Sequence, residues 1–190
     1  MNPELDPSIS YMGSALTHME KEEYDAAIGD FTELIKLNPD TVAAFLFRGD
    51  AYLKKGQFDE AISDLTEAIK RNQNNNAFAY RRRGEAYRMK KQYDAAISDY
   101  TEAIRLDPDN TPAAYGSRGE AYRRKGQYDA AISDCNEAIR LDPNNAWAYD
   151  VRGRVYKQLG QKNKAIQDFE KTLSLDPNTK GARQELEELQ

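Results

Sequence analysis

Apolar and polar positions alternate along the chain with the period of a helix, broken by short polar turns. Tyr80, Gly84 and Tyr87 fall at i, i+4 and i+7, which predicts one helical face. After a break at Lys91-Gln92, the positions Tyr93, Ala96, Ile97, Tyr100, Ala103 and Ile104 predict a second face, stopped by Pro108. The phrase then repeats. Arg83-Gly84-Glu85-Ala86-Tyr87-Arg88 returns as Arg118-Gly119-Glu120-Ala121-Tyr122-Arg123, with relatives at Arg48-Gly49-Asp50-Ala51-Tyr52 and Arg152-Gly153-Arg154-Val155-Tyr156. The glycines stand at 49, 84, 119 and 153, a period of 34 to 35 residues. Tyr93 to Asp99 recurs at Tyr128 to Asp134, and a proline after Asp or Asn closes units at Pro39, Pro108, Pro143 and Pro177. Five two-helix units follow, at 8–41, 42–76, 77–111, 112–145 and 146–179, after an N-terminal extension at 1–7 and before a tail at 180–190.

Local chemistry predicts how each unit is built. Asp25, Asp59, Asp94, Asp129 and Asn163 stand where the second helix begins and read as caps. The second unit lacks a proline stop and carries the polar run Arg71 to Asn76 instead. Gly84/Ala96, Gly49/Ala61, Gly119/Ala131, Gly153/Ala165 and Ala15/Ala27 are small pairs where the two helices of a unit would cross closely. Isolated helices of about 13 residues are marginal in water, so stability must come from stacking one hairpin on the next.

Composition narrows the function. The 190 residues are 39% hydrophobic and 31% charged, with a net charge of −5. A low apolar content disfavours one deep core, yet 12 Tyr, 6 Phe and 1 Trp are too many for a disordered chain. No apolar run reaches the roughly 20 residues of a membrane span. The acidic N-terminus lacks the order of a signal peptide, which points to the cytoplasm. One cysteine, Cys135, and one histidine, His18, leave no disulfide framework, metal cluster or histidine-based catalytic set. The reading is a non-enzyme with no cofactor and no metal.

The pattern resembles the tetratricopeptide repeat family. Its aromatic-x2-Leu-Gly-x2-Tyr, Ala-x3-Phe and Pro signature appears as Tyr80-x2-Arg83-Gly84-x2-Tyr87, Ala96-x3-Tyr100 and Pro108, in register along essentially the whole chain. Arginine stands for the family's leucine at Arg48, Arg83, Arg118 and Arg152. His18 replaces a tyrosine in the first unit, and Lys162 replaces an aromatic in the fifth. The resemblance implies an all-α, right-handed solenoid of five helix-turn-helix repeats. It also implies a concave groove lined by the first helices, used for peptide or protein binding without catalysis.

The recurring arginines coincide with recurring aspartates: Asp30, Asp64, Asp99, Asp134 and Asp168. Because the first unit has Asp30 but Ser14 in place of the arginine, each aspartate is expected to serve the next unit's arginine. The expected staples are Asp30–Arg48, Asp64–Arg83, Asp99–Arg118 and Asp134–Arg152. In the tail, Ala182, Leu186 and Leu189 at i, i+4 and i+7, with Glu185, Glu187 and Glu188 outside, predict a C-terminal capping helix; display of that helix to a partner is the rival reading.

Helical geometry and the resemblance together nominate the groove. Met12, Leu16 and Met19, with Ile9, make its apolar start, followed by Leu46, Asp50 and Leu53. Phe78, Arg81, Glu85 and Arg88, then Glu120, Arg123 and Arg124, then Trp147, Asp150 and Arg154 make it basic from the middle onward. Gly116 leaves room for a pocket opposite Phe78 and Trp147. The expected ligand is a peptide or protein segment with an apolar and an acidic part. Three readings stand beside it. The chaperone-tail clamp of the family is rejected, because the possible frames (Met12/Leu16, Phe47 and Phe78/Arg82, for one) lack its Lys and Asn set. The runs Arg81-Arg82-Arg83 and Arg123-Arg124-Lys125 invite nucleic acid, against which the nearby tyrosines are packing residues and the net charge is acidic. A self-assembling homo-oligomeric scaffold is the runner-up. His18 reads as a core histidine and Cys135 as a buried small hydrophobe.

Overall fold

The computed structural model describes residues 7–72 and 76–190. The expected extension at 1–7 lies outside the described residues except for Pro7, which opens the first helix, and so do Gln73, Asn74 and Asn75 of the polar run. Every regular element among the described residues is an α-helix. The chain divides into two units, 1–92 and 93–190.

The first unit holds α1 (Pro7–Glu20), α2 (Tyr24–Leu37), α3 (Val42–Lys54), α4 (Phe58–Arg71) and α5 (Ala77–Met89). Its helices pack as the antiparallel hairpins α1/α2 and α3/α4, with α3 against α2 and α5 against α4. Alanine dominates the interior. Ala15, Ala27 and Ala44 close around Phe31 and Leu34, and Ala61, Ala79 and Ala86 around Leu53, Leu65 and Ile69. Ala44 and Ala79 are where each new hairpin meets the one before it, so short side chains let helices nest at close range.

The second unit holds α6 (Tyr93–Leu106), α7 (Pro112–Arg124), α8 (Tyr128–Leu141), α9 (Ala146–Gln158), α10 (Lys162–Leu175) and α11 (Lys180–Glu187). The hairpins α7/α8 and α9/α10 repeat the first unit's packing. Helix α11 lies on α10, with Ala182 buried beside Ala165 and Phe169 and with Leu186 and Leu189 against the same cluster.

One turn recurs five times, at the ends of α1, α3, α5, α7 and α9. The backbone N–H of Gln57 donates to the Tyr52 carbonyl and that of Gly56 to Leu53, a Schellman closure of the first helix. The same pair of bonds ends the helices at Glu23/Glu22, Gln92/Lys91, Gln127/Gly126 and Gln161/Gly160. The residue in the left-handed region is glycine three times and Glu22 (φ 60°) or Lys91 (φ 60°) twice. The expected caps are corrected here. Asp25, Asp59 and Asp129 sit one residue inside helices that start at Tyr24, Phe58 and Tyr128, and Asn163 likewise follows Lys162. The preceding Glu23, Gln57, Gln127 and Gln161 cap without a side-chain bond, because the Schellman turn already sets the chain's entry into the helix. In that position Asp25, Asp59 and Asp94 face the helix dipole and accept ion pairs from Lys55, Lys90 and Lys125 of the following hairpin.

Candidate functional site

Arg48, Arg118 and Arg152 each grip an aspartate of their own hairpin, which corrects the expected staples Asp30–Arg48, Asp99–Arg118 and Asp134–Arg152. Arg48 donates from Nε and Nη2 to the two carboxylate oxygens of Asp64 at 2.7 and 2.8 Å. Arg118 does so to Asp134 at 2.7 and 2.8 Å, and Arg152 to Asp168 at 2.8 and 2.7 Å. The reason lies at the glycine beside each arginine. A Cβ on Gly49 would stand 3.3 Å from the Asp64 Cβ and 2.8 Å from Leu65 Cγ, so only glycine lets the second helix bring its aspartate so near. What crosses to the preceding hairpin is the third guanidinium arm. Nη1 of Arg48, Arg83 and Arg118 donates to the hydroxyl of Thr32, Thr66 and Thr101 at 3.0, 2.9 and 2.9 Å, and Arg152 to Asn136 Oδ1 at 2.6 Å. The Asp64 hydrogen bond holds the Arg48 charge more firmly than usual despite burial, and Asp168 does the same for Arg152. Thr32, Thr66, Thr101 and Asn136 share the repeat's period, the signal by which they were legible and were missed.

The staples also occupy the tyrosines. Arg118 lies over the rings of Tyr115 and Tyr122 at 5.6 and 5.9 Å, and Arg152 over Tyr149 and Tyr156 at 5.4 and 5.9 Å. These aromatic faces are internal contacts.

The first helices of the first unit present the apolar end. Ile9 is 62% and Leu16 38% exposed, and both line a cleft of about 400 Å³ together with Met12, Gly13, Leu34 and Thr41. Met12 and Met19 are half-buried against the first core, and Leu46 against the second. Leu53 turns inward, and Asp50 is buried as the partner of Arg82. Nε of Arg82 stands 2.8 Å from Asp50 Oδ1 but misaligned, while Nη2 donates to Oδ2 at 3.3 Å. Phe78 lies under both Arg81 and Arg82, each at 5.1 Å, and Arg88 donates to Glu85 at 3.0 and 2.5 Å. A second cleft of about 310 Å³ is bounded by Leu53, Phe58, Arg82, Glu85 and Met89.

The cations of the second unit are largely neutralised within the molecule. Glu120 is buried between Arg123, which donates at 2.7 and 2.9 Å, and Arg124, which donates at 2.7 Å. Burial pushes the Glu120 carboxyl up, and the two arginines outweigh it, holding it below the usual carboxylate range. Arg123 is covered and only Arg124 reaches out, its side chain 54% exposed. Asp150 is buried and accepts from Arg154 Nε at 2.8 Å. The pocket expected at Gly116 is filled: Trp147 Cδ1 stands 3.2 Å from where a Gly116 Cβ would be, leaving the indole 43% exposed. A cleft of about 340 Å³ is lined by Arg123, Arg154, Lys157, Gln158 and Glu185. Of the expected contact residues, Asp50, Leu53, Glu120 and Asp150 thus turn inward, where they hold arginines or fill the core.

His18 is not a core residue. Its side chain is 31% exposed, with Nδ1 at 2.6 Å from Glu23 and Nε2 at 3.8 Å from Asp30. Cys135 is fully buried, and burial raises its thiol far above the ordinary range, so it packs as an apolar group. Among the described residues no cluster of three or more His, Cys, Asp or Glu is placed to hold a metal, and no helix is long and apolar enough to cross a membrane.

Hairpins joined by small-residue contacts and periodic arginine staples define a helical-repeat solenoid protein. The chain belongs to the tetratricopeptide repeat family, whose models match residues 13–77, 48–111, 99–133, 119–160 and 146–179. It is similar to the crystal structure of MamA protein (27% identity, 90% of this chain and 92% of that one, TM-score 0.77). It is also similar to the first TPR of Spaghetti (RPAP3) bound to the HSP90 peptide SRMEEVD (34% identity, 60% and 89%, TM-score 0.57). YrrB, described as a TPR protein with an unusual peptide-binding site, shares the fold at 20% identity over 95% and 92% of the two chains, with TM-score 0.74. No curated protein sequence matches the chain.

Proposed function

We propose that this protein is a non-catalytic adaptor that holds a peptide or protein segment on the face of its first helices. The carrying observation is the apolar cleft of about 400 Å³ in the first unit, with Ile9 and Leu16 exposed at its rim. Exposed aliphatic side chains beside adaptable methionines suit a partner's apolar residues. Two similar proteins support the reading, one described by its peptide-binding site and one solved with a peptide bound. The contact set we propose is Met12, Leu16, Met19 and Leu46 for the apolar part, with Phe78, Arg81, Arg88, Arg124, Trp147 and Arg154 further along. Arg124 favours a carboxylate on the partner, since its side chain reaches furthest into solvent among the paired arginines of α7. The family's chaperone-tail clamp is not the proposed mode, for want of its residue set. Nucleic acid is disfavoured because the tyrosines that could stack bases are already stacked by staple arginines.

The test is affinity capture with wild type, Ile9→Glu/Leu16→Glu and Arg124→Glu chains, none of which touches a staple. Prey retained by wild type and lost by the variants supports the reading. Equal recovery by all three overturns it. Light scattering at two concentrations identifies the case in which the prey is a second copy.

A further inference from the structure

Helix α11 stands one repeat step beyond α9, with Lys180 at the position of Ala146, and it continues the row of first helices. Covering Ala165 and Phe169 requires only its apolar side, Ala182, Leu186 and Leu189. Its acidic side does something else. Glu185 accepts from Arg154 Nη1 at 2.8 Å and from Lys157 Nζ at 2.6 Å, and Glu188 accepts from Lys157 at 2.6 Å. Both carboxylate partners of Lys157 belong to the tail, Glu185 on α11 and Glu188 at its C-cap, whereas Arg154 also has Asp150 on its own helix. Gly181 is part of the same fit: a Cβ there would stand 2.6 Å from Arg154 Nη2, so a larger residue would push the guanidinium off Glu185.

The hold is slight. Helix α11 has 8 residues, of which Ala182 alone is buried, and a helix that short does not persist in water without its dock. Its ion pairs are partly exposed, a setting in which such pairs contribute little. Beside Glu185 the cleft of about 340 Å³ stays open, with Arg123, Arg154 and Lys157 on its wall.

We infer that the α9/α10 end of the second unit is a dock for an acidic amphipathic helix of a partner protein, and that α11 is the resident copy which such a helix displaces. The occupant's chemistry is set by the resident: apolar residues at i, i+4 and i+7 facing α10, and two carboxylates three residues apart facing Arg154 and Lys157. This rests on the reading that first helices receive a partner segment, and it names the class of segment for this end.

The probe is a fluorescein-labelled peptide of residues 179–190, titrated by anisotropy against the full chain and its Glu185→Gln/Glu188→Gln variant. With the resident's charges removed, the labelled peptide is expected to bind about tenfold more tightly than to wild type, and adding Arg154→Ala/Lys157→Ala is expected to abolish the gain. Salt should weaken the interaction. In the unmodified chain, saturating peptide is expected to speed hydrogen exchange at residues 182–188, which needs no variant to fold. No binding to either chain, equal affinity for both, or α11 exchange unchanged under bound peptide overturns the dock. Because the probe is the chain's own sequence, failure of partner capture by the Ile9/Leu16 variants bears on the adaptor reading and leaves this result standing.

Discussion

Arg48 and Asp64 face each other within one hairpin, joined by two parallel hydrogen bonds of 2.7 and 2.8 Å and both largely buried. A third arm of the same guanidinium reaches back to Thr32, so one side chain ties the hairpin together and ties it to its predecessor. Removing the arginine strands a buried carboxylate, which is far worse than losing a surface pair. Arg48→Ala is expected to cost about 3 kcal/mol, and Arg48→Lys, which keeps charge and loses the fork, about half of that. Urea denaturation reads both. Asp64→Leu/Arg48→Met should recover most of the loss, and a double variant as unstable as Arg48→Ala would contradict the stranded-charge account.

Asp30 is the aspartate without its arginine. Its Oδ2 is buried and has no hydrogen-bond partner, with His18 Nε2 at 3.8 Å, and Ser14 occupies the position from which Arg48, Arg118 and Arg152 act. Ser14→Arg is expected to raise stability by about 1 kcal/mol by completing the missing pair. In an Asp30→Asn background the same substitution should gain nothing. An equal gain in both backgrounds would show that the new arginine acts elsewhere.

The period of 34 to 35 residues, read from glycines and tyrosines, made the all-helical, helix-turn-helix build legible. Direction of pairing was harder. An arginine on a first helix lies near the second helix of its own hairpin and of the preceding one, and periodic spacing fits both. What decides is the depth of approach at Gly49, Gly119 and Gly153, a quantity fixed by packing in three dimensions. The absence of an arginine at Ser14 misdirected the choice, because a lone orphan at one end looks the same whichever way the pairs run. Groove chemistry suffered from a similar blindness: Glu85, Glu120 and Asp150 alternate with the arginines, and only side-chain geometry shows that they consume the positive charge.

Glu120 makes part of that neutralisation pH-dependent. Arg123 and Arg124 hold its carboxyl below the ordinary range in the folded chain. A depressed folded value means that the group contributes stability above its unfolded value, and that this contribution disappears as pH falls through the folded value. Glu120→Gln is therefore expected to cost about 2 kcal/mol at pH 7, with the difference from wild type shrinking once the solution is acid enough to protonate Glu120. Urea midpoints across an acid series give the comparison. A difference that stays constant from neutral to strongly acid pH would show that packing, and not charge, sets the cost.

Five helix-ending turns share one backbone geometry, and two of them carry it on a residue other than glycine. Gly56, Gly126 and Gly160 sit at φ 77°, 74° and 70°, whereas Glu22 and Lys91 are held at φ 60°, where a Cβ crowds the carbonyl. The Schellman bonds are the same in all five, so the strain is sustained by the hairpin and not relieved by a different turn. Glu22→Gly and Lys91→Gly are each expected to stabilise by about 0.5–1 kcal/mol, the strain relieved exceeding the extra freedom glycine gives the unfolded chain. Gly126→Ala, at a turn with open space around it, should lose about 1 kcal/mol through backbone strain alone. Thermal melts of the three variants decide the matter: if Lys91→Gly melts below wild type, the side chain at that turn holds something that its backbone conformation does not reveal.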